Sequence, residues 1–117
     1  MATVAWTPVT FNGSGKLYTA TVSTGDETAV LTLVNGENDV QFSVTGTIAG
    51  STVTVQSTMG GDVFATAEGQ AGTALALTTI GVSKVIRCPG VGVKFVVTAG
   101  TASGLVVNVY VPHKVRP

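Results

Sequence analysis

Oily and hydrophilic residues take turns along residues 38–58. Val40, Phe42 and Val44 alternate with Gln41, Ser43 and Thr45, and Val53 and Val55 alternate with Thr52, Thr54 and Gln56. A strand points successive side chains to opposite faces, so each run has one face for a core and one for water. Two such runs joined by the Gly-containing residues 46–50 predict an antiparallel hairpin.

The same grammar fills the rest of the chain. Residues 16–23 set Tyr18, Ala20 and Val22 on one face, and residues 28–34 align Ala29, Leu31 and Leu33. A short strand holds Val63 and Phe64, and residues 73–79 align Leu75 with Leu77. Residues 83–88 carry Lys84, Ile86 and Cys88 on one face. Residues 91–98 carry Val91, Val93, Phe95 and Val97. Leu105, Val107, Val109 and Val111 form the last oily face, with Asn108 and Tyr110 outward. Asn35-Gly36 suits a type I′ turn, whose two central residues need positive φ. No helical spacing appears. Short strands at intervals of about 8–12 residues predict an all-β fold. The expected form is a single-domain antiparallel β-sandwich, jelly-roll or immunoglobulin-like, with about eight to ten strands. Residues 1–14 read as an N-terminal arm or edge strand anchored by Trp6 and Phe11, since Pro8 suits only an edge. Residues 15–111 form the sandwich and 112–117 a tail.

Composition changes this picture in one respect. The 117 residues suffice for one core. They are 44% hydrophobic but only 10% charged, against about 25% charged in a typical soluble domain. Val and Thr supply about a third of the chain, as strands favour. A surface of Thr, Ser, Asn and Gly suits burial against copies of the same chain or a larger assembly. Zero net charge argues against a nucleic-acid partner, which needs clustered cations. Up to Glu68, six acids (Asp26, Glu27, Glu37, Asp39, Asp62, Glu68) face Lys16 alone, a net of −5; beyond it Lys84, Arg87, Lys94, Lys114 and Arg116 give +5. Kept apart, these sets would orient subunit contacts; interleaved strands would mix them.

Candidate chemistry is sparse. Cys88 is the sole cysteine, so no intrachain disulfide forms, and its apolar strand suits a small buried hydrophobe. Gly13-Ser14-Gly15-Lys16 lacks the P-loop spacing, with Thr10 and Leu17 at the wrong places. His113 is the only histidine, and zinc sites need several His or Cys ligands. Asp26, Glu27, Glu37 and Asp39 read as solvated turn acids more readily than as a calcium site. No catalytic, cofactor or metal residue is expected, and the chain does not read as an enzyme. The N-terminus has no basic segment followed by an apolar one, so no signal peptide is expected. No apolar run nears the ~18–20 residues that span a bilayer, so no membrane partner is expected. Trp6, Tyr18 and Tyr110 are the rings available to stack on a sugar. As residues they read more simply as anchors with polar tips at the rim.

From Phe42-Ser-Val-Thr-Gly-Thr-Ile-Ala-Gly-Ser-Thr-Val-Thr-Val-Gln-Ser-Thr-Met-Gly-Gly61 the chain resembles small β-sandwich virion proteins of tailed bacteriophages. A strand ending in Gly-Thr, a Gly turn, a Val-Thr-Val-Gln strand and a Gly-Gly turn recur there. Phe95-Val-Val-Thr-Ala-Gly-Thr-Ala-Ser-Gly-Leu-Val-Val-Asn-Val109 looks like their final hairpin. The similarity spans about half the chain; Phe64 takes the place of the aromatic after the Gly-Gly turn, with different residues between. The resemblance implies a capsid decoration (cement) protein, a homo-oligomer expected to be a trimer, made in the host cytoplasm and bound to the major capsid protein or another virion protein. The candidate interface is then Trp6, Phe11, Lys84, Arg87, Lys94, His113, Lys114 and Arg116. An arm (residues 1–12 or 112–117) adding a strand to a neighbour's sheet is the expected mode. The rival expectation is a tail-fibre or adhesin module that binds host glycan.

Overall fold

The alternating runs become short strands in a computed structural model that describes residues 3–9, 15–32, 40–58, 63–69, 74–81, 83–86 and 92–112. In order they are β1 (Thr3–Val4), β2 (Thr7–Val9), β3 (Gly15–Val22), β4 (Glu27–Thr28), β5 (Leu31–Thr32) and β6 (Val40–Thr45). Then come β7 (Thr52–Thr58), β8 (Ala65–Thr66), β9 (Ala76–Leu77), β10 (Ser83–Ile86), β11 (Gly92–Thr98) and β12 (Leu105–Pro112). There is no helix among the described residues. The five-stranded sheet runs β10-β6-β12-β3-β2. The seven-stranded sheet runs β1-β4-β11-β7-β8, with β5 also on β11 and β9 also on β7. Every pairing is antiparallel except β1 with β4.

Three pairs of these segments are halves of interrupted strands: β1 with β2, β4 with β5, and β8 with β9. Merging each pair gives one sheet in the order seventh, fourth, ninth, second, first. The other runs first, third, eighth, fifth, sixth. This is the jelly-roll arrangement of two interlocked Greek keys. The radius of gyration, 13.4 Å, is that of one compact domain of this length.

The expected hairpin across residues 46–50 does not form. β6 lies in the five-stranded sheet and β7 in the seven-stranded one, so the connection crosses the sandwich. The expected final hairpin is corrected in the same way, because β11 and β12 also lie in different sheets. In these four strands alternation marks the oily face correctly. It carries no information on which strand lies alongside. Two oily faces are buried equally well by pairing side by side or by stacking face to face, about 10 Å apart. Gly46 and Gly104 let the two crossings touch. A Cβ on Gly46 would sit 2.5 Å from the Gly104 carbonyl oxygen, and Gly46 has φ +94°.

The core is the set of inward alternates. Val40, Phe42, Val44, Val53, Val55, Val93, Phe95, Val97, Leu105, Val107 and Val109 are all buried. Phe42 and Phe95 meet edge to face across the two sheets, ring centroids 5.2 Å apart, and Trp6 meets Phe95 at 5.8 Å. Each fully buried Val or Phe contributes about 1.5–3 kcal/mol of transfer free energy.

Two interruptions depart from simple alternation. Glu27 lies opposite Val96 and Leu31 opposite Val93, so the strand holding β4 and β5 has one more residue than its partner. This bulge makes Thr28 and Leu31 both face inward. It corrects the expected alignment of Ala29 with Leu31; Leu33 lies outside the described residues. The Thr28 hydroxyl oxygen accepts from the Phe95 N–H at 3.0 Å. The second interruption lies between β8 and β9, where Glu68 bridges Ala74 in antiparallel fashion. Ala67 N–H donates to Val55 O and Leu75 N–H to Ala67 O, which pins the bridge.

Residues 3–9 join this chain's own sheets. β1 pairs with β4, and β2 pairs with Leu17–Thr19 of β3, so the segment changes sheets at Ala5 and Trp6. The expected turn at Asn35-Gly36 lies outside the described residues.

Candidate interaction surface

Outward residues of the five-stranded sheet line up in rows, because residues directly opposite each other share a face. One row is Thr7, Thr19, Asn108, Ser43 and Ser83, one residue from each strand. The next is Val9, Leu17, Tyr110, Gln41 and Val85. A third, shorter row is Thr21, Val106 and Thr45. No residue in these rows is charged. Gln41 Nε2 donates to Ser83 Oγ at 2.7 Å, which ties the edge strand to its neighbour on this face. A hydroxyl- and amide-bearing row beside a mainly apolar one gives a broad surface suited to packing and hydrogen bonding without ionic contacts.

Described charges lie elsewhere. On the seven-stranded sheet, Lys94 Nζ stands 3.4 Å from Glu27 Oε1 and 4.5 Å from the centre of the Phe64 ring. The pair is partly exposed, so its contribution is below about 1 kcal/mol. It joins an acid of the first half to a base of the second, so here interleaved strands bring the two charge sets together. Lys84 sits on edge strand β10 opposite the buried Phe42, hence on the core side of its sheet, yet its side chain is exposed. Pro8 ends the same row on the other edge, β2.

Trp6 belongs to the interior more than to the surface. Its indole Nε1–H donates to the Ala29 carbonyl at 2.8 Å, at the bulge, and its ring packs against the core. Tyr18 also packs against the core. Tyr110 lies on the uncharged outer face. Phe11, Arg87, His113, Lys114 and Arg116 lie outside the described residues. The expected interface residues are therefore not brought together into one patch among the described residues. The outward rows went unrecognised as a set. The available signal was the lack of charge at the wet positions of residues 17–21, 41–45 and 106–110.

One end of the sandwich holds a buried polar cluster. Ser51 Oγ lies 2.8 Å from Ala99 O and 2.7 Å from Thr24 Oγ1. Ser51 has one proton, which goes to the carbonyl, so Thr24 donates to Ser51. Thr24 Oγ1 in turn accepts from the Ala102 N–H at 2.8 Å. The cluster ties the loops at residues 23–26, 46–51 and 99–104 together. Among the described residues every buried side-chain polar atom has a partner, and no three His, Cys, Asp or Glu residues gather as metal ligands.

The fold defines a jelly-roll β-sandwich. Compared with known proteins, the chain matches no family model, no curated protein and no solved structure.

Proposed function

We propose that this chain is a structural virion protein of the capsid decoration (cement) type, which binds the outer shell of a tailed bacteriophage and strengthens it through subunit contacts. The observation that carries the reading is the outer face of the five-stranded sheet, which holds no charged side chain among the described residues. Interface centres are depleted of charged residues, whereas a lone soluble domain keeps charges over its surface. The jelly roll also builds many viral shell proteins, which supports the reading by analogy of fold alone. The phage assignment itself rests on the resemblance of residues 42–61 and 95–109 to small virion proteins.

The test is co-sedimentation of the purified protein with expanded phage shells, followed by thermal disruption of decorated and bare shells. Saturable binding that raises the disruption temperature supports the proposal. Failure to bind any shell contradicts it.

A further inference from the structure

We infer that the outer face of the five-stranded sheet packs against the same face of a second copy of this chain, as a two-fold, face-to-face pair. This names the partner of the face on which the proposed function rests.

Charge selects the occupant. Burying an unpaired charge costs free energy, so the described rows, which hold no charge, disfavour partners that would set Lys, Arg, Asp or Glu upon them. A second copy presents the same uncharged rows. Contact between identical patches is isologous and closes at two subunits, unlike the trimer that the resemblance implies.

Area is sufficient. Five strands about 4.8 Å apart, averaging about six residues at ~3.4 Å, give a footprint of about 500 Å² per copy. Two copies together bury about 1,000 Å² before side-chain relief is added, which reaches the lower bound for a specific interface.

The edges favour a face over an edge. Strand addition needs an open, regular sheet edge. In this sheet one edge carries Pro8 and the other carries Lys84 on the core side. Both devices discourage a neighbouring strand. Val106, central in the third row, lies on β12, the middle strand, between Thr21 and Thr45. It is only half-buried within one copy, so a partner would cover it.

The test is sedimentation velocity over a concentration series for three proteins: the full chain, the double variant Thr21→Lys/Thr45→Lys, and Thr54→Lys. Thr21 and Thr45 are exposed, so the double variant keeps the fold, checked by circular dichroism; Gln41→Lys is the replacement if it does not. Thr54 faces outward on the other sheet and serves as control. The expected result is a two-chain mass for the full chain and for Thr54→Lys, with pairing weakened at least about a hundredfold in the double variant, because the pair would then bury lysines without partners. A single-chain mass for the full chain overturns the pairing. So does a three-chain mass, or an oligomer indifferent to the face variants. A single-chain mass alongside intact shell binding removes this inference and leaves the proposed function standing.

Discussion

Trp6 donates its indole N–H to the carbonyl oxygen of Ala29 at 2.8 Å, across the point where the chain moves from one sheet to the other. The bond satisfies a carbonyl at the bulge, while the ring lies against Phe95. The N-terminal segment is thus held by one side chain with two jobs. Trp6→Ala should destabilise the fold by about 3–5 kcal/mol. Trp6→Phe, which keeps a ring but strands the carbonyl, should cost about 1–2 kcal/mol. Urea unfolding checks both. An unchanged stability for Trp6→Phe would show that the hydrogen bond contributes nothing, and equal costs for the two variants would show that the ring contributes nothing.

Gly25 and Gly46 separate backbone conformation from space. Their φ values are nearly equal, +91° and +94°, but a Cβ on Gly25 meets nothing within 4 Å, while one on Gly46 meets the Gly104 oxygen at 2.5 Å. Gly25→Ala should cost about 1 kcal/mol, for the left-handed conformation alone. Gly46→Ala should cost at least about 2 kcal/mol more, because overpacking adds to it. Thermal unfolding of the two variants measures the difference.

Alternation made the core legible. Val40, Phe42, Val44, Val53, Val55, Phe95 and Val107 were placed correctly because period two is a property of each strand alone. Topology is a property of pairs, so alternation alone does not separate the crossings at residues 46–50 and 99–104 from hairpins. The bulge beside Ala29 escaped because Thr28 looks like a surface residue until its hydroxyl is seen on the Phe95 amide. The uncharged face was hardest to see. Its rows join positions as distant as Thr7 and Asn108, and only the low overall charge hinted at it.

Ser51 links the end loops, and its hydroxyl is fully buried. Ser51→Ala leaves Ala99 O and the Thr24 hydroxyl without their partner. It should cost about 1–3 kcal/mol. In a double-mutant cycle with Thr24→Ala the two effects should fail to add, with a coupling of at least about 0.5 kcal/mol. Additive costs would show that the bond between the two hydroxyls contributes nothing.

Lys84 guards an edge. Lys84→Val should leave folding stability within about 1 kcal/mol of the original, since the side chain is exposed. It should also increase aggregation on incubation, because β10 then offers a smooth apolar edge. Turbidity and static light scattering over time give the readout. Unchanged scattering would remove the protective role.

The central claim is that this protein works by sticking to neighbours through a surface without charges. Molar mass by light scattering, at low and at high salt, tests it most directly. A multiple of the chain mass that stays the same as salt rises is the predicted result, because screening acts on ionic contacts and leaves apolar and hydroxyl contacts in place. A single-chain mass throughout from a protein that also fails to bind shells, or dissociation as salt increases, would contradict it.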